Sequence, residues 1–279
     1  MPTQKRTRPP QRGRDPRAAA MARRRKEEQR KRIAIVVFTA VVVVLGVSVI
    51  VSTGGGNNQT AESGNSTTTV AVRQPVTLSS VPPGATVAGD TPCPKADGSS
   101  ARTTIFAKPP PLSCITVSKS YTAEVMTSKG RFVIQLDPKA APNTVNNFVV
   151  LSRYHFYDGI PFHRIIPGFV VQGGDPSASG IGGPGYRFDD ELPRSGSYKV
   201  GSVAMANSGP NTNGSQFFVV TGDAGINLPL SYSLFGTVTE GMDVLKAIEA
   251  VGTAPSAADP QGGAPTEIVT ITSVTVKES

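Results

Sequence analysis

The sequence is poor in the residues from which most enzyme chemistry is built. Its 279 residues include two cysteines, two histidines and no tryptophan. Cys93 and Cys114 form no C-x-x-C redox motif, and His155 and His163 are too few to complete a zinc site with them. There is no G-x-S-x-G elbow, no P-loop and no G-x-G-x-x-G after a strand, and nothing sets a serine beside either histidine. Asp189, Asp190 and Glu191 are adjacent in a loop flanked by Gly and Pro and read as a solvated turn rather than a catalytic cluster. These absences point to chemistry that needs no covalent intermediate, no metal and no cofactor.

The net charge of +8 and pI near 9.7 first suggest a nucleic-acid binder. Residues 1–32 hold thirteen Lys or Arg against three acids, a charge of +10, while the other 247 residues hold fifteen against seventeen. The basic character belongs to a tail, and the folded part lacks the basic surface that nucleic-acid binding requires. Ile33 to Val51 is apolar except for Thr39, Gly46 and Ser48. At ~1.5 Å per residue this run is about 28 Å long as a helix, close to the hydrocarbon thickness of a bilayer. A cleaved signal peptide is the rival reading. Its apolar region is usually shorter, and no A-x-A-like site follows, so an uncleaved anchor is favoured. The positive cluster before the span keeps residues 1–32 cytoplasmic and puts the rest outside a cell membrane crossed once.

Residues 52–80, rich in Gly, Ser, Thr and Asn, read as a flexible linker. Residues 81–118 carry Pro82-Pro83, Pro92, Pro94 and Pro109-Pro110-Pro111 around the two cysteines and read as a loop-rich collar. An even cysteine pair in an oxidising compartment reads as a Cys93–Cys114 disulfide, worth about 3 kcal/mol on the chain-entropy model. Residues 119–279 have the pattern of a compact domain. A hairpin is expected from Tyr121–Met126 and Arg131–Leu136, and further strands at Gly168–Gln172, Val203–Ala206, Gln216–Thr221, Ser233–Val238 and Glu267–Val276. One helix should run from Pro142 to Arg153 with Val145, Phe148, Val149 and Ser152 on one side. Another should run from Glu240 to Val251, capped by Thr239 and ended by Gly252. Many short strands with two helices imply a closed or nearly closed antiparallel barrel.

Two segments mix apolar aromatics with polar groups in a way that a plain barrel core does not explain. The first is F-H-R-I-I-P-G-F, from Phe162 to Phe169, followed by Val170, Val171 and Q-G-G-D, from Gln172 to Asp175. The second is M-A-N-S-G-P-N-T-N-G-S-Q-F-F, from Met205 to Phe218. Both resemble the signature regions of the cyclophilin family, and the similarity runs from about Tyr121 to the C-terminus. The anchored arrangement with a Cys-bearing collar resembles that of actinobacterial members.

The resemblance implies an eight-stranded antiparallel barrel capped by two helices, and peptidyl-prolyl cis–trans isomerase activity. Arg164 would be the catalytic arginine, supported by Gln172. Phe169, Val170, Phe218 and Leu228 would line the proline pocket, with Tyr232 where well-known eukaryotic members carry a His. Ala206, Asn207 and Ser208 would hold the substrate backbone through their main-chain groups, with Gln216 beside them. Ile226-Asn227 fills the stretch where those members carry a Trp, and Val170 replaces a Met. Proline-containing polypeptides are the implied partners, with cyclosporin-like ligands held at reduced affinity. His163 reads as a structural hydrogen-bonding residue. A module that only binds proline-containing peptides is the alternative, and Arg164 argues against it, since a binder needs the pocket but not the donor.

Overall fold

The computed structural model describes residues 74–279, apart from positions 195 and 258. The expected tail 1–32, the membrane span 33–51 and the linker up to residue 73 lie outside the described residues. Among the described residues, no helix is long and apolar enough to cross a membrane.

Ten strands and three α-helices are found among the described residues. In chain order they are β1 Ala85–Val87, β2 Thr103–Phe106, β3 Tyr121–Thr127, β4 Gly130–Leu136, α1 Pro142–Arg153, β5 Arg164–Ile166, β6 Val170–Gly173, β7 Ser202–Met205, β8 Phe217–Val220, α2 Asp223–Ile226, β9 Leu234–Glu240, α3 Met242–Glu249 and β10 Ile271–Glu278. The expected hairpin forms with Ser128-Lys129 as its two-residue turn between Thr127 and Gly130, β3 being buried at every second residue. Helix α1 has the expected bounds, with Pro142 in its first turn.

Eight strands form one antiparallel sheet in the order β10-β3-β4-β9-β7-β8-β6-β5. The closed barrel expected from the sequence is corrected to a curled sheet whose edge strands β10 and β5 do not pair with each other. The residues leading into them approach instead. Pro161 bridges Thr270, and the Phe162 N–H donates to the Val269 carbonyl at 2.9 Å. Pro161 has no N–H to extend a ladder and β5 is only three residues long, so the seam stays short.

The concave side holds the main core, with Phe132, Phe148, Tyr157, Phe217 and Phe235 fully buried among aliphatic side chains. Helix α1 is buried on every side from Thr144 to Arg153, not on one side as its pattern suggested. The collar covers its other face: Phe106 and Ile115 belong to the same core, and Asn146 Nδ2 donates to the Pro111 carbonyl at 3.1 Å. The collar contains β1 and β2, a parallel pair that the sequence reading missed, and the joined cysteines Cys93 and Cys114. Helix α3 begins at Met242, and its N-cap is Gly241, in the left-handed region at φ 82°, where Thr239 was expected. Thr239 still belongs to β9, so its side chain cannot reach the helix amides.

Candidate active site

The convex side of the sheet carries a second, smaller apolar cluster of Val170, Tyr198, Ala204, Phe218 and Val220. Phe169, Ala206, Leu228 and Tyr232 pack on it. Strand alternation produces it: Val171, Val219 and Val203 point into the main core, and their neighbours Val170, Val220 and Ala204 point out. Phe218 and Tyr232 meet edge to face with ring centroids 5.3 Å apart. Tyr198 steadies this wall by donating its hydroxyl to the Tyr232 carbonyl at 2.7 Å, and burial pushes its pKa up to about 12.

Above this cluster lies a cavity of about 610 Å³, walled by Phe169, Val170, Phe218, Leu228 and Tyr232 and edged by Arg164, Gln172 and Asn207. The proline-pocket residues expected from the sequence therefore come together. Arg164 and Gln172 are register partners across β5 and β6, which puts both on the cavity side. The guanidinium carbon is 5.7 Å from the centroid of the Phe169 ring, and Nη1 lies 3.5 Å from the Gln172 carbonyl oxygen. Among the described residues, no carboxylate lies within ion-pair distance of Arg164. Burial pushes its pKa down, and the nearby Tyr232 and Asp259 act in the opposite direction.

Polar side chains brace this pair. Gln172 Nε2 donates to Gln216 Oε1 at 3.1 Å, and Gln216 Nε2 donates to the carbonyls of Gly180 and Gly182, each at 2.9 Å. These carbonyls belong to a loop organised by Asp175, which is wholly buried. Its carboxylate accepts from the amides of Ser177, Ser179, Gly180 and Gly182 and from two serine hydroxyls. Burial alone would raise the Asp175 pKa, but the hydrogen bonds from Ser177, Gly182 and Gly180 outweigh it and hold the pKa below its ordinary value. Asp175 went unremarked at the sequence level although it closes the Q-G-G-D stretch. The serines at i+2 and i+4 were its signal.

A second cavity of about 560 Å³ adjoins the first and shares Gln172, Gly180, Ile181, Ala206 and Asn207 with it. Ser208 and Gln216 line this one and not the first. Of the main-chain groups expected to hold a peptide, two N–H donors are already engaged. The Ala206 N–H bonds the Gln216 carbonyl at 2.9 Å, and the Ser208 N–H bonds Thr212 Oγ1 at 2.8 Å.

Two further expectations are corrected. Among the described residues, neither ring nitrogen of His163 has a hydrogen-bond partner. Burial pushes its pKa down, with Asp175 opposing and Arg164 reinforcing, which favours the neutral ring. Nor are the three adjacent acids simply a solvated turn. Glu191 accepts from the Asn143 and Thr144 amides at the start of α1, and Asp190 accepts from the Asn211 amide and Asn213 Nδ2. The loop 253–266, which supplies Asp259, Gln261 and Gly263 to the first cavity, had no sequence signal beyond its glycines.

A family model described as cyclophilin type peptidyl-prolyl cis–trans isomerase matches residues 122–276. A probable peptidyl-prolyl cis–trans isomerase A of Mycobacterium leprae is 40% identical over 171 residues, covering 56% of this chain and 91% of that protein. Peptidyl-prolyl cis–trans isomerase B of Streptomyces anulatus is also 40% identical over 171 residues, covering 56% and 95%. Among solved structures, a cyclophilin type isomerase of Cryptosporidium parvum matches with a TM-score of 0.51 and 31% identity, over 57% of this chain and 99% of that one. The same parasite protein has a structure in the presence of the dipeptide Ala-Pro, matching at TM-score 0.50.

Proposed function

From the premise that this chain belongs to the cyclophilin-type peptidyl-prolyl cis–trans isomerase family and is such an enzyme, we propose that it turns X–Pro bonds in exported polypeptides by holding the twisted amide. Rotation about an X–Pro bond faces a barrier of about 18–20 kcal/mol because the amide is resonance-stabilised. At the twist that resonance is lost, and the proline nitrogen becomes pyramidal and able to accept a hydrogen bond. A donor fixed beside that nitrogen binds the twisted form better than either planar isomer, so it speeds the rotation.

Arg164 is that donor. It keeps its charge at neutral pH and presents a planar fork. Phe169, Val170, Phe218, Leu228 and Tyr232 grip the pyrrolidine ring, so the N-terminal side of the bond turns while the ring stays. Their apolar surfaces exclude water and strengthen the contact from Arg164. Gln172 orients the guanidinium. An acceleration of ~10⁵-fold needs about 7 kcal/mol, which one charge-assisted donor with desolvation and positioning supplies without any proton transfer.

The observation that carries this reading is a half-buried guanidinium on the rim of a ring-sized apolar cavity, with no carboxylate partner among the described residues. The test is Arg164→Ala, followed by NMR exchange spectroscopy on an Ala-Pro peptide. Turnover should fall about 10²- to 10³-fold while peptide affinity changes little. Turnover near wild type would reject the mechanism, and no acceleration in the wild type itself would leave a binding module.

The setting is part of the same proposal. The basic segment before an apolar run of nineteen residues, Ile33 to Val51, supports a single-pass anchor with the catalytic domain on the outer face of a cell membrane. The joined Cys93 and Cys114 fit an oxidising exterior, where the clients would be unfolded exported chains.

A further inference from the structure

The collar reaches the two loops that form the site. The Val81 N–H donates to the Pro176 carbonyl at 2.9 Å, and the Phe106 N–H to the Pro184 carbonyl at 2.8 Å. Pro176 and Pro184 bracket the loop whose Gly180 and Gly182 carbonyls hold Gln216. The Val76 N–H donates to the Pro265 carbonyl at 2.8 Å, at the end of the loop 253–266. In that loop Gly263 lies so close to Arg164 that a Cβ on it would stand 2.6 Å from Arg164 Cγ. The approach at Phe106 is as tight. Gly185 has φ +106°, and a Cβ there would stand 2.5 Å from the Phe106 carbonyl oxygen, so only glycine suits the junction.

The collar is itself firmly seated. The Phe106 ring is buried 5.4 Å from that of Tyr154, and the Thr103 N–H donates to the Tyr154 carbonyl at 2.9 Å. The Cys93–Cys114 disulfide closes a loop that contains β2 and Phe106, which limits how far this part of the collar can loosen.

We propose that residues 76–115 act as a strap that positions Arg164 from outside the sheet. By pinning loops 175–186 and 253–266, the strap holds Gln216, through it Gln172, and so the guanidinium at the cavity rim. Val76, Val81 and Phe106 are positioning residues and touch no substrate. The proposal rests on Arg164 being the donor. It gains its leverage from the 3.5 Å contact between Arg164 and Gln172, which is at the limit of a hydrogen bond, so a small loop shift breaks it.

The test uses the full-length chain with Val81→Pro, which deletes one strap-to-loop donor, and the double variant Cys93→Ser/Cys114→Ser. Val81→Ala, which keeps the N–H, is the control. Exchange NMR reads kcat and KM, the side-chain amide signals of Gln172 and Gln216 read positioning, and hydrogen exchange at the Phe106 amide reads detachment. Val81→Pro and the double variant should each lower kcat about tenfold with KM little changed. The Gln216 amide signals should move toward solvent-exposed values, and Val81→Ala should match wild type throughout. A freely exchanging Phe106 amide with unmoved Gln216 signals and wild-type kcat would overturn the proposal. Collapse of the whole domain in both variants would also overturn it, because the strap would then be core rather than support. Shifted Gln216 signals with unchanged kcat would also overturn it, because the brace would then not set the guanidinium's place; the donor role itself is tested separately by Arg164→Ala.

Discussion

Phe217 and Phe218 are neighbours on β8, yet one is sealed in the concave core against Phe148 and Tyr157 and the other forms the wall of a cavity. The same division separates Val171 from Val170 on β6. On the concave side α1 and α3 complete the packing and leave no room. On the convex side Leu228, Tyr232, Tyr198, Phe169 and Ala206 gather around the sheet, and a hollow remains beside Arg164. The convex face is covered incompletely and leaves a hollow that can take a ligand, whereas the concave face is filled.

The largest effect should come from testing that division. Phe217→Ala should cost about 3–5 kcal/mol in thermal or denaturant unfolding, as deletion of a large buried ring does. Phe218→Ala should cost clearly less in unfolding and instead weaken proline-peptide binding in a titration. The reverse ranking would break the comparison. Gln216→Leu, which cuts the brace between the Gly180 and Gly182 carbonyls and Gln172, should lower kcat about tenfold with KM nearly unchanged. A KM effect alone would show that Gln216 serves the peptide rather than Arg164.

Asp175 sharpens the comparison through pH. Its folded pKa lies below the ordinary 3.8, so its stabilisation is complete above that pH and is lost as the pH falls through the folded value. Asp175→Asn should remove about 1–3 kcal/mol at neutral pH and flatten the acid limb of the unfolding profile. An unchanged acid limb would mean that the carboxylate does not hold the loop. The smallest effect is expected at His163. Burial favours its neutral form, and among the described residues neither ring nitrogen has a hydrogen-bond partner. His163→Asn should leave turnover within about twofold, since the proposed rotation calls for no general acid or base. A large loss would give His163 a role that its geometry does not suggest.

Local rules carried the hairpin, α1 and the approximate places of β6 and β8, because turn residues, Pro142 and strand propensity act over a few positions. They failed where partners lie far apart in the chain. Strand β5 is three residues inside F-H-R-I-I-P and shows its nature only beside β6. The pair β1 and β2 joins segments sixteen or more residues apart and looked like loop. Helix α1 read as one-sided because the collar that buries its other face leaves no mark on the helix's own sequence. In the site, Arg164, Gln172 and the pocket aromatics were legible because two contiguous segments carry them. Asp259 and Gly263 were not, since their place at the cavity comes from a loop folding back from the far end of the chain.

By itself the sequence determined the family, the hairpin and the two longer helices of the last 160 or so residues, and which side chains to look for around the cavity, but not β5 or α2. The tertiary structure alone decided that the sheet stays open at its seam, that Gln216 and Gln172 link the Asp175 loop to Arg164, and that Val76, Val81 and Phe106 bond to the two loops beside the cavity. The reason is physical. Propensity and alternation are properties of neighbouring residues, whereas a brace or a clasp exists only when distant main-chain donors and carbonyls are brought within 3 Å of each other.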